Sequence, residues 1–284
     1  MTGEVSLNRN EKNAADRVRL ARDPKRPTAG DYIEQIFDDF IPMAGDRKHG
    51  DDGAVTGGIA FFHERPVTVI GHQKGRSLEE NMTCRFGMPN PEGYRKAERL
   101  MRQAEKFGRP VITLIDTPGA YPGMEAEAGG QGEAIARCLS VMSELKVPSV
   151  AVCIGEGGSG GALAMAVSDR LIMLENSIFS ILSPEGFASI LWKDAARWEE
   201  AAEVMKLTAQ DLYELGICDE VIPEKEGAHQ NAAAVYRAVE KSLAANLSEL
   251  SQLSPQALQK ERYRRLRMIG KQKRKAEQTK DGRQ

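Results

Sequence analysis

Val147-Pro-Ser-Val-Ala-Val-Cys-Ile-Gly-Glu-Gly-Gly-Ser-Gly-Gly-Ala-Leu-Ala-Met-Ala166 reads as a buried strand, a glycine loop and a helix start in direct succession. Such a junction aims several free backbone N–H groups at one spot, with no side chain in the way. The spot suits a phosphate or a developing oxyanion. Upstream, Val111-Ile-Thr-Leu-Ile115 runs into a second glycine loop, Asp116-Thr-Pro-Gly-Ala-Tyr-Pro-Gly123, which sits where α/β sheets place ligands.

Around these loops strands and helices alternate. The pattern predicts strands over 111–115, 148–154, 170–174 and 178–182, with helices over about 129–145 and 160–168. Before them, the strand-like runs 54–62 and 66–71 flank His63-Glu-Arg-Pro66 as a hairpin turn, and Pro91 starts a helix to about Phe107. Alternation of this kind argues for an α/β unit with a largely parallel, covered sheet. We expect three regions: a helical arm over 1–45, the core over 46–225, and helices with a basic tail over 226–284. In the arm, Asp31 is expected to cap a helix whose Tyr32, Ile33, Ile36, Phe37 and Phe40 share one face.

The 284 residues are 41% hydrophobic and 28% charged with a net charge of -2, ordinary for a soluble protein. Residues 256–284 carry eleven Lys/Arg against three acids, enough for weak, sequence-blind nucleic-acid binding at most, since Tyr263 is the lone aromatic there. Cys84, Cys138, Cys153 and Cys218 are scattered and read as reduced thiols, without a metal site. The N-terminus lacks the form of a signal peptide and no apolar run reaches membrane-spanning length, so the expected location is cytoplasmic.

Three chemistries compete for Gly155–Gly161. A phosphate loop of the Walker type needs Lys-Ser/Thr after its last glycine, where Ala162-Leu163 stand, and Gly71-His-Gln-Lys-Gly-Arg-Ser77 has the wrong spacing. The letters also fit a dinucleotide fingerprint, without an acidic strand end about twenty residues on. Gly157-Gly-Ser-Gly-Gly161 matches a serine elbow, for which only His229 lies downstream as a base, in a polar stretch that reads as surface. The third reading is an oxyanion hole made by the Gly160 and Gly161 amides at a first helical turn. Against it stands plain tight packing of strand on helix. Lys74, Arg76 and Arg85 are candidates for substrate phosphates or an interface.

Together with Gly71-His-Gln-Lys-Gly-Arg76, Phe86-Gly-Met-Pro-Asn-Pro-Glu-Gly-Tyr-Arg-Lys-Ala97 and Ser183-Pro-Glu-Gly-Phe-Ala-Ser-Ile-Leu-Trp-Lys193, the two glycine loops give five motifs in order over roughly residues 15–270. In these the chain resembles the alpha subunit of the carboxyltransferase component of bacterial acetyl-CoA carboxylase. The resemblance implies a crotonase-like (ClpP/crotonase superfamily) α/β fold of ββα superhelical repeats with flanking N- and C-terminal helices. It implies carboxyl transfer from carboxybiotin, borne by a biotin carboxyl carrier protein and loaded by biotin carboxylase, to acetyl-CoA, giving malonyl-CoA for fatty-acid synthesis. Gly160 and Gly161 would hold the ureido oxygen, with Gly157, Gly158, Ser159, Gly119, Ala120 and Tyr121 around the biotin. The implied partner is a beta subunit bearing a zinc ribbon, in an alpha2beta2 heterotetramer, with no cofactor held tightly by this chain. Longer members of the family begin with a further helical segment, and the basic stretch after Gly270 exceeds what the resemblance implies.

Overall fold

The computed structural model describes residues 12–271. The chain opens with helices α1 (Ala14–Ala21) and α2 (Ala29–Ile36), followed by strands β1 (Asp38–Pro42), β2 (Val55–Phe62) and β3 (Arg65–His72). Next come α3 (Leu78–Thr83), α4 (Pro91–Lys106), β4 (Val111–Thr117), α5 (Met124–Ala128), α6 (Gln131–Glu144), β5 (Ser149–Gly158) and α7 (Ser159–Leu163). The rest is β6 (Arg170–Leu174), β7 (Ile178–Ser180), α8 (Pro184–Trp192), α9 (Trp198–Met205), α10 (Ala209–Glu214), β8 (Glu220–Ile222), α11 (Ala232–Leu250) and α12 (Pro255–Met268).

The strands form one sheet in the order β1-β2-β3-β4-β5-β6-β8. The first three are antiparallel, joined at the predicted hairpin, where His63 and Glu64 both adopt positive φ, the geometry that matches strand twist. From β3 to β8 all pairings are parallel. The long strand β5 forks the sheet. Val150–Cys153 pair with β6, whereas Glu156–Gly158 pair with β7.

Side chains alternate across the sheet, so each strand feeds two cores. On one face Ile112, Leu114, Val152 and Ile154 pack against Tyr32 and Ile33 of α2 and Val239 and Leu243 of α11. On the other, Ile70 and Val111 meet the Tyr94, Leu100 and Met101 stripe of α4 and Cys138 and Met142 of α6. Covering both faces is what fully apolar parallel strands require. It also leaves the carboxyl ends of β4 and β5 side by side at one rim, with Thr117 opposite Gly157.

Several expected elements differ. The helix expected to reach Phe40 stops at Ile36, because Asp38–Pro42 pairs with β2, and its cap is Thr28, with Asp31 closing the capping box. Only Ser159–Leu163 of the 160–168 helix forms. The chain then turns under the sheet, where Thr113 Oγ1 donates to the Met165 carbonyl at 2.6 Å. Between β3 and α4 the chain forms α3, for which no helix was expected, and β7 ends at Ser180. The last expected helix ends at Met268, and the tail from about Lys273 lies outside the described residues. The four cysteines are free thiols, three of them buried.

Candidate functional site

The two glycine turns meet backbone to backbone at the rim. A side chain on Gly158 would strike the Pro118 carbonyl, and one on Gly161 would come within 2.6 Å of both the Ala120 nitrogen and the Tyr94 hydroxyl. Gly155 is pressed against the Asp116 carboxylate and Gly157 against the Phe179 ring. Tight packing therefore accounts for four of the glycines. Gly160 is the exception. A Cβ there would meet only Ile135 Cγ2, at an ordinary 3.7 Å.

Ser159 stands at the strand-to-helix corner with φ 57°, a left-handed conformation that costs a non-glycine residue energy and marks a constrained turn. It sends Gly160 and Gly161 into the first turn of α7, where N–H groups have no acceptor one turn back. Among the described residues neither amide donates to a group outside that short helix. Ser159, Gly160 and Leu163 edge an apolar cavity of about 600 Å³, walled by Phe179, Ile181 and Phe187. Ile181 at its mouth is 79% exposed.

The 118–123 turn faces this corner. Thr117 Oγ1 donates to the Gly119 carbonyl at 2.8 Å and accepts from the Gly119 amide at 3.1 Å. Gly119 itself has φ 147°, beyond the reach of most side-chain-bearing residues. Tyr121 N donates to the Pro89 carbonyl, and Gln131 Nε2 donates to both the Pro89 and Tyr121 carbonyls, at 2.8 and 3.0 Å. Gly119, Ala120, Gly158, Ser159, Gly160 and Gly161 are thus brought together.

Lys74 lies beneath the turns and is 20% exposed at its side chain, donating to Asp116 at 2.6 Å and to Glu156 at 3.3 Å. Burial alone would lower the Lys74 pKa, but the two carboxylates outweigh it and hold the ammonium above its ordinary range. Burial would likewise raise Glu156, yet Lys74 and Arg22 beside it keep it below the usual carboxylate range. Arg22 bridges Glu156 at 2.7 Å and Glu185 at 2.6 Å, tying α1 and the start of α8 to the glycine corner. The exposed Arg76 pairs with Asp31, and Arg85 pairs with Asp52 at 2.8 Å, its guanidinium 5.9 Å from the Tyr121 ring. All three cations singled out in the sequence are already paired with acids.

The serine-elbow reading finds no base. His229 is 10% exposed at its side chain, rather than a surface residue, and its Nε2 lies 2.9 Å from Gln230 Nε2 and 3.8 Å from Asp23. His49 and His63 pair with Glu92 and Glu240, and the His72 nitrogens have no hydrogen-bond partner among the described residues. Sequence reasoning missed the Arg22–Glu156–Lys74–Asp116 chain. One signal was available: Glu156 is a lone charge at the end of an apolar strand, and a buried charge demands a partner. Among the described residues no helix is long and apolar enough to cross a membrane.

Comparison with known proteins shows the family and the fold. The family described as acetyl co-enzyme A carboxylase carboxyltransferase-like matches residues 8–270. An acetyl-coenzyme A carboxylase carboxyl transferase subunit alpha from Halalkalibacterium halodurans is 57% identical over 89% of this chain and 78% of its own length. The subunit of the same name from Geobacillus thermodenitrificans is 56% identical over 90% and 79%. Among solved structures, transcarboxylase 12S superposes with a TM-score of 0.64 at 22% identity, over 85% of this chain and 46% of that one. A Pseudomonas malonate decarboxylase hetero-tetramer in complex with coenzyme A gives 0.60 at 18% identity, over 72% and 82%. These likenesses show the crotonase-like fold of carboxyltransferases.

Proposed function

The chain belongs to the acetyl co-enzyme A carboxylase carboxyltransferase-like family, and we propose that it works as the alpha subunit of the enzyme that carboxylates acetyl-CoA to malonyl-CoA. The observation that carries the site assignment is the Gly160–Gly161 turn, whose amides make no hydrogen bond outside α7 among the described residues, with Gly160 at the edge of an apolar cavity. The residues present fit biotin. An apolar wall of Phe179, Ile181, Leu163 and Phe187 suits the ring, and two amides suit its ureido oxygen. Carboxybiotin, brought by a biotin carboxyl carrier protein and charged by biotin carboxylase, would supply the carboxyl group, and the Gly160 and Gly161 amides would face the ureido oxygen where charge develops.

In this reading the Gly160 and Gly161 amides hold the oxygen, and losing one such donor costs ~10²–10³ in rate. Gly157, Gly158 and Ser159 shape the corner, while Gly119, Ala120 and Tyr121 form the facing wall. Lys74, Asp116 and Glu156 act beneath the site as its foundation. The acetyl-CoA side falls to a beta subunit with a zinc ribbon, in a cytoplasmic alpha2beta2 assembly. Exposed Leu163, Ile181, Ile190, Leu191 and Val204 favour a partner over this rim.

The test is reconstitution. The purified chain mixed with a beta subunit is expected to carboxylate biotin at the expense of malonyl-CoA, and neither chain alone is. Silence of the mixture would defeat the proposal. Turnover of an acyl-CoA by the isolated chain would instead mark a free-standing enzyme of the same fold.

A further inference from the structure

Two consecutive glycines make the softest stretch of backbone a protein can offer. A five-residue helix such as α7 adds little rigidity of its own. An oxyanion hole works only if its donors are already fixed before charge develops, since reorganisation forfeits the gain. Something outside α7 must therefore hold Gly161 still.

Beneath it lie two polar side chains that the packing alone does not explain. His72, the last residue of β3, and Tyr94, in the first turns of α4, are both 0% exposed. Both imidazole nitrogens and the Tyr94 hydroxyl lack hydrogen-bond partners among the described residues. Buried polar groups left unpaired are rare and destabilising, so two side chains carrying three such atoms beside one glycine call for a reason. The hydroxyl sits 2.6 Å from where a Gly161 Cβ would be. The Gly161 carbonyl lies beside the imidazole without completing a hydrogen bond. The ring is neutral, because burial first and Lys74 second push its pKa down to about 3. A neutral imidazole carries one N–H to donate, and the carbonyl is its nearest use.

We infer that His72 and Tyr94 are positioning residues, which clamp Gly161 from below and so fix the direction of the amide donors above. Tyr94 and the Ala120 amide confine the Cα, and His72 holds the carbonyl when the turn settles onto it. With both ends of the residue restrained, φ and ψ of Gly161 have little freedom left. The inference rests on the function proposed above.

His72→Leu, His72→Gln and Tyr94→Phe, each assembled with the beta subunit, test it. Replacing an unpaired polar group by an apolar one of similar shape leaves Tm unchanged or raises it. The leucine variant is expected to keep Tm and the KM for malonyl-CoA while kcat falls by up to about 100-fold, the scale of a misplaced site. His72→Gln, which retains a donor, is expected to restore most of kcat. Tyr94→Phe should lower kcat less, again without loss of Tm. Independently of turnover, backbone amides of residues 155–165 should exchange with deuterium faster in His72→Leu than in the wild type. Full activity in a folded His72→Leu, a Tm loss that parallels the activity loss, or unchanged amide exchange would each overturn the inference. If the wild-type complex is itself inactive, the functional proposal fails, and the exchange measurement still decides the clamp.

Discussion

In the turn after β4, side chains do the holding: Thr117 grips Gly119 from both sides, Gln131 bridges two carbonyls, and the Tyr121 ring fills the space over Gly123. In the turn after β5, holding depends on side chains being absent. Gly158 and Gly161 let the backbone rest on Pro118 and Ala120, and the nearest polar side chains, His72 and Tyr94, make no formed bond. The first kind of turn can lose one contact and keep others. The second has little to give, because a Cβ at Gly158 or Gly161 must push a neighbouring chain aside.

The sharpest break of that contrast is Gly161→Val. It should drive the 118–123 turn away and remove transfer by at least ~10²-fold, whereas Gly160→Ala, with open space, should fold normally. Steady-state assays beside melting curves check the pair. Equal damage from both would erase the distinction between the two glycines.

Next in size is the foundation shared by both turns. Lys74→Met leaves Asp116 and Glu156 without the cation they share, although Arg22 still pairs with Glu156. Breaking a buried pair in this way costs about 3–5 kcal/mol. In a urea-unfolding cycle, adding Glu156→Gln should recover part of the loss, and strict additivity would show that the two groups are not coupled.

A smaller effect comes from His72. Its pKa is about 3 in the folded chain against an ordinary 6.5, so between these values the unfolded chain binds the extra proton. Stability therefore rises with pH through that window, by at most about 1.4 kcal/mol per unit, and this contribution levels off above pH 6.5. Urea midpoints of wild type and His72→Leu should diverge from pH 7.5 down to pH 5, the variant losing less. Parallel curves would mean that the ring protonates without leaving its pocket. Smallest of all, Ser159→Ala should lower transfer less than about threefold, since no base adjoins the hydroxyl. Complete inactivation would restore the nucleophile reading.

The βα alternation was legible because the strands from Val111 and Ser149 are apolar runs that end on glycine, a signal contained within a few residues. Elements decided by distant partners were not. Ile36, Phe37 and Phe40 keep helical spacing, yet Phe40 lies in a strand because β2 claims it. The glycine run suggested free amides throughout. Only the fold tells that Gly155, Gly157, Gly158 and Gly161 are small because something leans on them, while Gly160 is not so confined. The ion-pair chain was invisible for a related reason. Arg22 caps the end of a helix with three charges among its eight residues, and nothing local points it toward Glu156.

That last contact has a bearing on how the molecule is made. Arg22 is separated from Glu156 by 134 positions and from Glu185 by 163. At ordinary ribosomal speeds roughly ten seconds pass between the synthesis of the arginine and that of its acids. Through that interval α1 has only its own eight residues to support it, too few to persist as a helix in water. Helix α1 is thus made well before the acids that anchor it, and the corner it braces is finished only when the middle of the chain has emerged.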